Sequence, residues 1–223
     1  MPPLVAVGGI ALLAYLLGGF PTALLLGRLF FGVDIREHGS GNVGSTNALR
    51  VFGWQWGIVV QIVDILKGVV AVALLPVLLP LTGEGAETAR VLAGVAAVAG
   101  HCWSPWAGFR GGKGVNTAAG VLAVLAPVEL LFGIGGFTLA LLSSGYVSVG
   151  SLTAALVVPP ALLLRLGSAA GQSPVFWGAL ALAAIVIVRH RANLKRLLQG
   201  REHRFDAVWL LGRLRRKQNS MLQ

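Results

Sequence analysis

The sequence predicts an all-α polytopic membrane protein with seven transmembrane helices, the N-terminus outside and the C-terminus cytoplasmic. Three observations lead there. The 223-residue chain is 56% hydrophobic and only 12% charged, with 31 glycines, well away from the balance of an ordinary soluble domain. Apolar stretches long enough to cross about 30 Å of hydrocarbon recur from the N-terminus to about Val188. The basic residues bracket these stretches, and ten of the 18 Lys and Arg lie between Arg189 and Lys217. A formal charge of +10 arranged in this way suits anionic lipid or phosphorylated substrates and argues against nucleic acid.

Hydropathy places helices at Leu4–Leu26, Gly53–Leu78, Arg90–Trp103, Val147–Leu166 and Pro174–Val188, with an apolar block at Val115–Leu142. The first segment lacks a basic leader and is too long for a signal-peptide core, so it reads as a retained helix. Arg28, Arg36 and Arg50 follow it, whereas the Met1 end carries no charged side chain, so the positive-inside rule puts the N-terminus outside. The connection Thr82–Ala89, with Glu84 and Glu87, suits the outside, and Arg110 and Lys113 return the chain inside. One crossing by Val115–Leu142 would strand the basic tail outside. The block therefore predicts two short segments turning near Pro127 and Glu129, which completes seven passes. Its 28 residues give only about 21 Å per pass, so the flanks or local bilayer thinning must supply the rest.

On this topology Val33–Arg50, Ser104–Asn116, Ser143–Ser151 and the chain from Arg189 onward meet at the cytoplasmic surface. Residues 1–205 read as one membrane domain and 206–223 as a basic cytoplasmic tail. Within Phe205–Lys217, Phe205, Val208, Trp209 and Leu214 fall near helical spacing beside basic residues, which fits an interfacial helix or a frayed tail. The single cysteine, Cys102, forms no internal disulfide and reads as packing. No metal-ligand cluster or cofactor motif is legible.

Three constellations carry chemistry. In HGSGNVGSTNALR, His38 to Arg50, Gly39, Gly41 and Gly44 allow positive φ and close backbone approach. Ser40, Asn42, Thr46 and Asn47 add neutral hydrogen-bonding groups, and Arg50 a cationic fork. This suits a phosphate; a loop capping the second helix through Ser45 or Asn47 reads from the same residues. In GHCWSPWAGFRGGKGVNTAAG, Gly111, Gly112 and Gly114 surround Lys113 just before an apolar helix, a setting that favours an anion. It is not a Walker A loop, since Ala107 and Gly114 stand where glycine and Ser or Thr are needed. In RHRANLKRLLQGREHRF, His190, Asn193 and Lys195 lie within a turn or two, and Glu202 is the tail's first carboxylate. His190 reads as a base or as a structural residue, and Arg189 and Arg191 fit the positive-inside rule. Asp64 and Lys67, three apart on one helix face, read as an intramembrane ion pair or as groups with a direct role at a polar cavity. Ser151 faces a pocket or bonds its own backbone.

Together SGNVGSTN, GFRGGKGV and RHRANLKRLLQGREHRF, in this order between apolar helices, resemble the acyl-phosphate:glycerol-3-phosphate acyltransferases, the PlsY family, over about Leu12 to Phe205. The resemblance implies a seven-helix enzyme of the bacterial inner membrane with its site facing the cytoplasm. It implies transfer of an acyl group from acyl phosphate to the sn-1 hydroxyl of glycerol 3-phosphate, giving lysophosphatidic acid and phosphate. It carries function over to Ser40, Arg50, Lys113, Ser151, His190 and Asn193, and a structural role to Glu202. Ser45 and Asn116 depart from the common pattern, which has alanine at both positions. Membrane lipid is an implied partner, with an enzyme supplying acyl phosphate as a further one. None of the four histidines precedes an Asp at the spacing other glycerol-phosphate acyltransferases use. With no nucleophile–base set legible, direct attack is expected, the proton passing to His190 or to the substrate phosphate. A transporter or flippase for an anionic lipid or solute is the alternative, and a noncatalytic scaffold a third; polar motifs gathered on one face favour the enzyme.

Overall fold

A computed structural model describes residues 3–78 and 84–205. Its regular structure is helical: α1 (Pro3–Gly18), α2 (Thr22–Phe30), α3 (Ser45–Phe52), α4 (Trp54–Ala73), α5 (Leu75–Leu78), α6 (Glu84–Cys102), α7 (Val115–Leu125), α8 (Pro127–Ser144), α9 (Val147–Leu166), α10 (Pro174–Arg189) and α11 (Arg191–Leu198). Four runs, Val5–Phe30, Trp54–Val77, Pro127–Ser144 and Val147–Gln172, are long and apolar enough to cross a membrane, and α10 with α11 makes a fifth if their 51° bend lies within one span. Leu131, Leu139 and Leu164 leave 68%, 72% and 86% of their surface uncovered on helix flanks, an arrangement suited to lipid rather than water.

The helices pack as neighbouring pairs, α1 along α6, α4 along α7 and α8 along α9. Small residues bring the backbones together. A Cβ on Gly18 would stand 2.0 Å from the Ala97 carbonyl, and one on Gly120 2.0 Å from the Ile65 carbonyl, so only glycine permits these approaches. Val72, Val98, Val121, Leu162 and Leu182 fill the main core between α4, α6, α7, α9 and α10. A second cluster, with Ile35, Ala48, Phe52 and Val60, anchors the first polar loop against α4.

The structure redraws several predicted boundaries. The helix expected over Leu4–Leu26 breaks after Gly18 and restarts at Thr22, because Pro21 lacks a donor and pushes Phe20 away from helical backbone. The helix expected from Arg90 begins at Glu84, so most of the expected outer connection is helical. The Val115–Leu142 block does break before Pro127, but unequally, into helices of 11 and 18 residues. At 1.5 Å per residue these reach roughly 16 and 27 Å, so the shortfall falls on α7. Glu129 lies inside the first turn of α8, buried and ion-paired with Arg165 of α9, rather than in the turn itself. The expected helix through Val208, Trp209 and Leu214, like the rest of residues 206–223, lies outside the described residues.

Candidate functional site

The first polar loop is built around its own side chains. Gly39 and Gly41 have φ of +61° and +70°, which turns the chain so that Asn47 can reach back. Asn47 Oδ1 accepts from the Ser40 amide at 2.8 Å and its Nδ2 donates to the His38 carbonyl at 3.0 Å. Both ends of that amide are therefore engaged within the loop. The N-cap of α3 is Gly44 without a side-chain bond, so neither Ser45 nor Asn47 caps the helix. Upstream, Asp34 holds Arg36 through 2.6 Å and 2.9 Å contacts. The hydrogen bonds from Arg36 outweigh burial and hold the Asp34 carboxyl well below the usual carboxylate range. Arg36 in turn donates to the Ala107 carbonyl at 3.2 Å and ties the first loop to the second.

The second loop is moulded on His101. A Cβ at Gly111 would lie 2.0 Å from the His101 carbonyl, and one at Gly112 2.1 Å from its Nε2. The Gly112 amide donates to that carbonyl at 3.0 Å, and Arg189 takes the Gly112 and Gly111 carbonyls at 3.0 and 3.1 Å. The Gly112 amide is therefore turned back into the protein, and the loop's outward carbonyls are held by Arg189. The loop presents Lys113 and the first turn of α7, whose N-cap is Gly114, with the orphan donors and positive dipole end of a helix start.

The third element organises around Glu202. Its carboxylate accepts from Asn193 Nδ2 at 2.6 Å, Arg196 Nε at 2.7 Å and Ser148 Oγ at 3.0 Å, joining α9 to α11. Burial opposes its ionisation, but these hydrogen bonds prevail and keep its pKa lowered. Asn193 is left with a buried Oδ1 that has no hydrogen-bond partner among the described residues. His190, at the junction of α10 and α11, is 1% exposed and its Nδ1 sits 2.7 Å from the Val186 carbonyl. A carbonyl can only accept, so Nδ1 carries the proton and the neutral ring keeps a lone pair on Nε2.

These elements enclose a polar cavity of about 140 Å³. Ser40, Asn42, Thr46, Asn47 and Arg50 line it from the first loop and α3, Lys113 and Gly114 from the second loop, and Ser151, His190, Asn193 and Glu202 from α9 onward. Gly39, Gly41, Gly111 and Gly112 are not on its wall; Gly41 and Gly111 line the adjoining vestibule, and Gly39 and Gly112 shape the loops. Ser151 also bonds its own backbone, Oγ donating to the Val147 carbonyl at 2.9 Å. Burial lowers the Lys113 pKa to about 8, Glu202 pulling it up while Arg196, Arg50 and Arg189 push it further down. Burial likewise lowers that of Arg50, whose guanidinium lies 4.7 Å from the Phe205 ring centre. Neither Lys113 nor Arg50 has an ion-pair partner among the described residues.

Two openings adjoin the cavity. An apolar pocket of about 400 Å³ runs between α7, α8, α9 and α10, walled by residues such as Leu122, Ile134, Val158 and Leu182. A wider vestibule of about 480 Å³ is lined by Arg36, Arg110, Lys113, Arg189, Arg191 and Arg196 and by no carboxylate among the described residues. Asp64 and His101 also stand on the cavity wall, and Asp64 pairs with Lys67 at 2.7 Å, as their spacing predicts. Lys67 also donates to the Phe20 carbonyl freed at the break between α1 and α2, at 2.7 Å, and Thr22 donates to Asp64. The His101 ring stands 3.8 Å from the same carboxylate. Thr22 and His101 escaped the sequence reading; the signal for His101 was its place inside the second motif. Among the described residues no group of three His, Cys, Asp or Glu could hold a metal ion.

A model of the glycerol-3-phosphate acyltransferase family matches residues 8–200. Glycerol-3-phosphate acyltransferases of Chlorobaculum tepidum and Salinibacter ruber are 43% and 42% identical, over 88% and 92% of this chain and 95% and 96% of theirs. Two crystal structures of PlsY (YgiH), an integral membrane glycerol 3-phosphate acyltransferase, share the fold. The glycerol 3-phosphate form aligns with a TM-score of 0.80 at 36% identity, covering 89% of this chain and 95% of that one. The lysophosphatidic acid form gives 0.79 at 35%, covering 92% and 98%.

Proposed function

This chain belongs to the glycerol-3-phosphate acyltransferase family, and we propose that it transfers a fatty acyl group from acyl phosphate to the sn-1 hydroxyl of glycerol 3-phosphate, yielding lysophosphatidic acid and inorganic phosphate. One observation carries this reading: a polar cavity with Arg50, Lys113 and Arg196 on its wall adjoins an apolar pocket through shared lining residues, so an amphiphile can keep its chain among helices and its phosphate beside Lys113 and Arg50. Acyl phosphate and glycerol 3-phosphate both bring the anionic groups these side chains bind. The acyl-phosphate donor distinguishes this reaction from one using a thioester.

The attacking hydroxyl forms a bond to the acyl carbonyl carbon, the carbonyl carbon–phosphate oxygen bond breaks, and phosphate leaves with the hydroxyl proton. Ser40, Arg50, Lys113 and Asn193 orient the two phosphorylated substrates, and the cationic groups stabilise the charge that develops. The unpartnered Asn193 Oδ1 is an acceptor for a substrate hydroxyl. His190 polarises or positions the hydroxyl, while a phosphate oxygen of the donor is close enough to the reacting carbonyl, by the donor's own geometry, to take the proton. Glu202 fixes Asn193 and Arg196. No nucleophile–base pair is needed, and no acyl-enzyme forms.

The membrane arrangement belongs to the same proposal. Seven passes, an external N-terminus and a cytoplasmic site in the bacterial inner membrane accord with the charge distribution, with residues 1–205 as the catalytic unit and 206–223 as a cytoplasmic tail. A separate enzyme supplies the acyl phosphate. Incubating the purified protein in lipid with acyl phosphate and labelled glycerol 3-phosphate tests the reaction: equal amounts of 1-acyl product and phosphate are expected. Product from acyl thioester but none from acyl phosphate would overturn the donor assignment.

A further inference from the structure

The polar cavity and the apolar pocket share a neck lined by Gln61, Val115, Asn116, Phe137 and Ser151. Anything with its phosphate in the cavity and its chain in the pocket must pass its linking atoms through this neck. In acyl phosphate, the proposed donor on which this inference rests, those atoms are the carbonyl group. The Ser151 hydroxyl proton is already directed at Val147, so Ser151 is an acceptor there. Asn116 Nδ2 donates one hydrogen to Ser45 Oγ at 2.9 Å. A hydroxyl can pair with either end of a carboxamide, so at least one Asn116 N–H stays free in either orientation. Gln61 has no hydrogen-bond partner among the described residues and brings two more. Val115 and Asn116 also begin α7, whose first amides point their unpaired hydrogens out of the helix start.

We infer that Gln61 and Asn116 form the subsite for the acyl carbonyl oxygen, donating to it in the bound donor and to the oxyanion that develops there during attack. Donors fixed before reaction at the atom where negative charge grows accelerate acyl transfer. The Ser45 contact is what holds Asn116 in place, a hydroxyl of α3 orienting a carboxamide at the neck.

Binding tests this apart from turnover. In lipid nanodiscs, the wild type should bind a long-chain acyl phosphonate, which keeps the carbonyl, about fivefold or more tighter than the alkyl phosphonate of equal length that lacks it. Gln61→Ala with Asn116→Ala should bring the two affinities within about twofold while leaving the alkyl phosphonate unchanged. The uncharged single variants Asn116→Ala and Gln61→Ala, the latter at an exposed position, serve if the double variant folds poorly. A wild type without the preference, a preference that survives both substitutions, or equal loss for both phosphonates would overturn the inference. In turnover, kcat should fall about tenfold or more with a long-chain and a four-carbon acyl phosphate alike, the glycerol 3-phosphate KM staying constant. A loss confined to the long chain would mean that these residues only shape the apolar pocket. If the preference is present but no lysophosphatidic acid forms from any acyl phosphate, the proposed reaction fails and the carbonyl subsite stands.

Discussion

Lys67 and Lys113 are both withdrawn from water, but the protein treats them differently. Lys67, with a side chain 5% exposed, is matched within α4 by Asp64 at 2.7 Å and capped by the Phe20 carbonyl. Lys113, partly buried at the entrance to α7, faces Arg50, Arg189 and Arg196, with Glu202 as its main opposing charge. Glu202 is itself already occupied by Asn193, Arg196 and Ser148. A buried charge provided with its own partner holds elements together, and here it locks the break between α1 and α2 onto α4. A cation left among other cations waits for an anion from outside.

The contrast breaks most visibly in stability. Asp64→Ala should strand Lys67 and cost about 3–5 kcal/mol, read as a large drop in the thermal midpoint in detergent, whereas Lys113→Ala should leave that midpoint unchanged or raise it. Equal destabilisation by the two would erase the distinction. The reverse order is expected in activity: Lys113→Ala and Arg50→Ala should each lose about 1.5–3 kcal/mol of transition-state binding, roughly 10- to 150-fold in kcat/KM, measured with glycerol 3-phosphate as the varied substrate.

The pH profile sharpens the comparison. Lys113 has a pKa lowered to about 8, so it is mostly charged at pH 7 and loses its proton as pH rises through 8. We expect kcat/KM for glycerol 3-phosphate to fall across that interval, and the fall to move well upward in Lys113→Arg, whose guanidinium stays charged. A flat wild-type profile from pH 7 to 9 would separate Lys113 from substrate binding. The smallest effect concerns the vestibule, where Arg110 and Arg191 have no partner among the described residues. Replacing both with Gln should lower kcat/KM for the anionic substrate by about threefold to tenfold at low salt and by less as ionic strength rises, with kcat retained.

What the sequence revealed follows the range of each interaction. The Asp64–Lys67 pair was readable because three residues on one helix share a face, and the break before Pro127 because proline constrains its own neighbourhood. The glycines around Lys113 signalled a tight loop, but their cause was not local: Gly111 and Gly112 are small because His101, in the preceding helix, packs against them. Arg189 reads in sequence as one more charge obeying a topological rule; in the structure it holds both glycine carbonyls. The first helix looked continuous because Pro21 sits in an unbroken apolar run, and only the Lys67 ammonium seated on the freed Phe20 carbonyl shows what the break is for. Ser45 and Asn116 lie 71 residues apart, and their connection is visible only in three dimensions.

In the proposed reaction two anionic substrates meet in one polar cavity beside Arg50 and Lys113 and exchange the acyl group directly. A single-turnover experiment with enzyme in excess over labelled acyl phosphate, quenched at intervals and followed by mass spectrometry of product and intact protein, tests it most directly. Lysophosphatidic acid should appear at the rate the donor disappears, with no mass increase on the protein and with acyl phosphate stable until glycerol 3-phosphate is added. An acylated protein that forms without glycerol 3-phosphate and is then discharged by it would contradict the account.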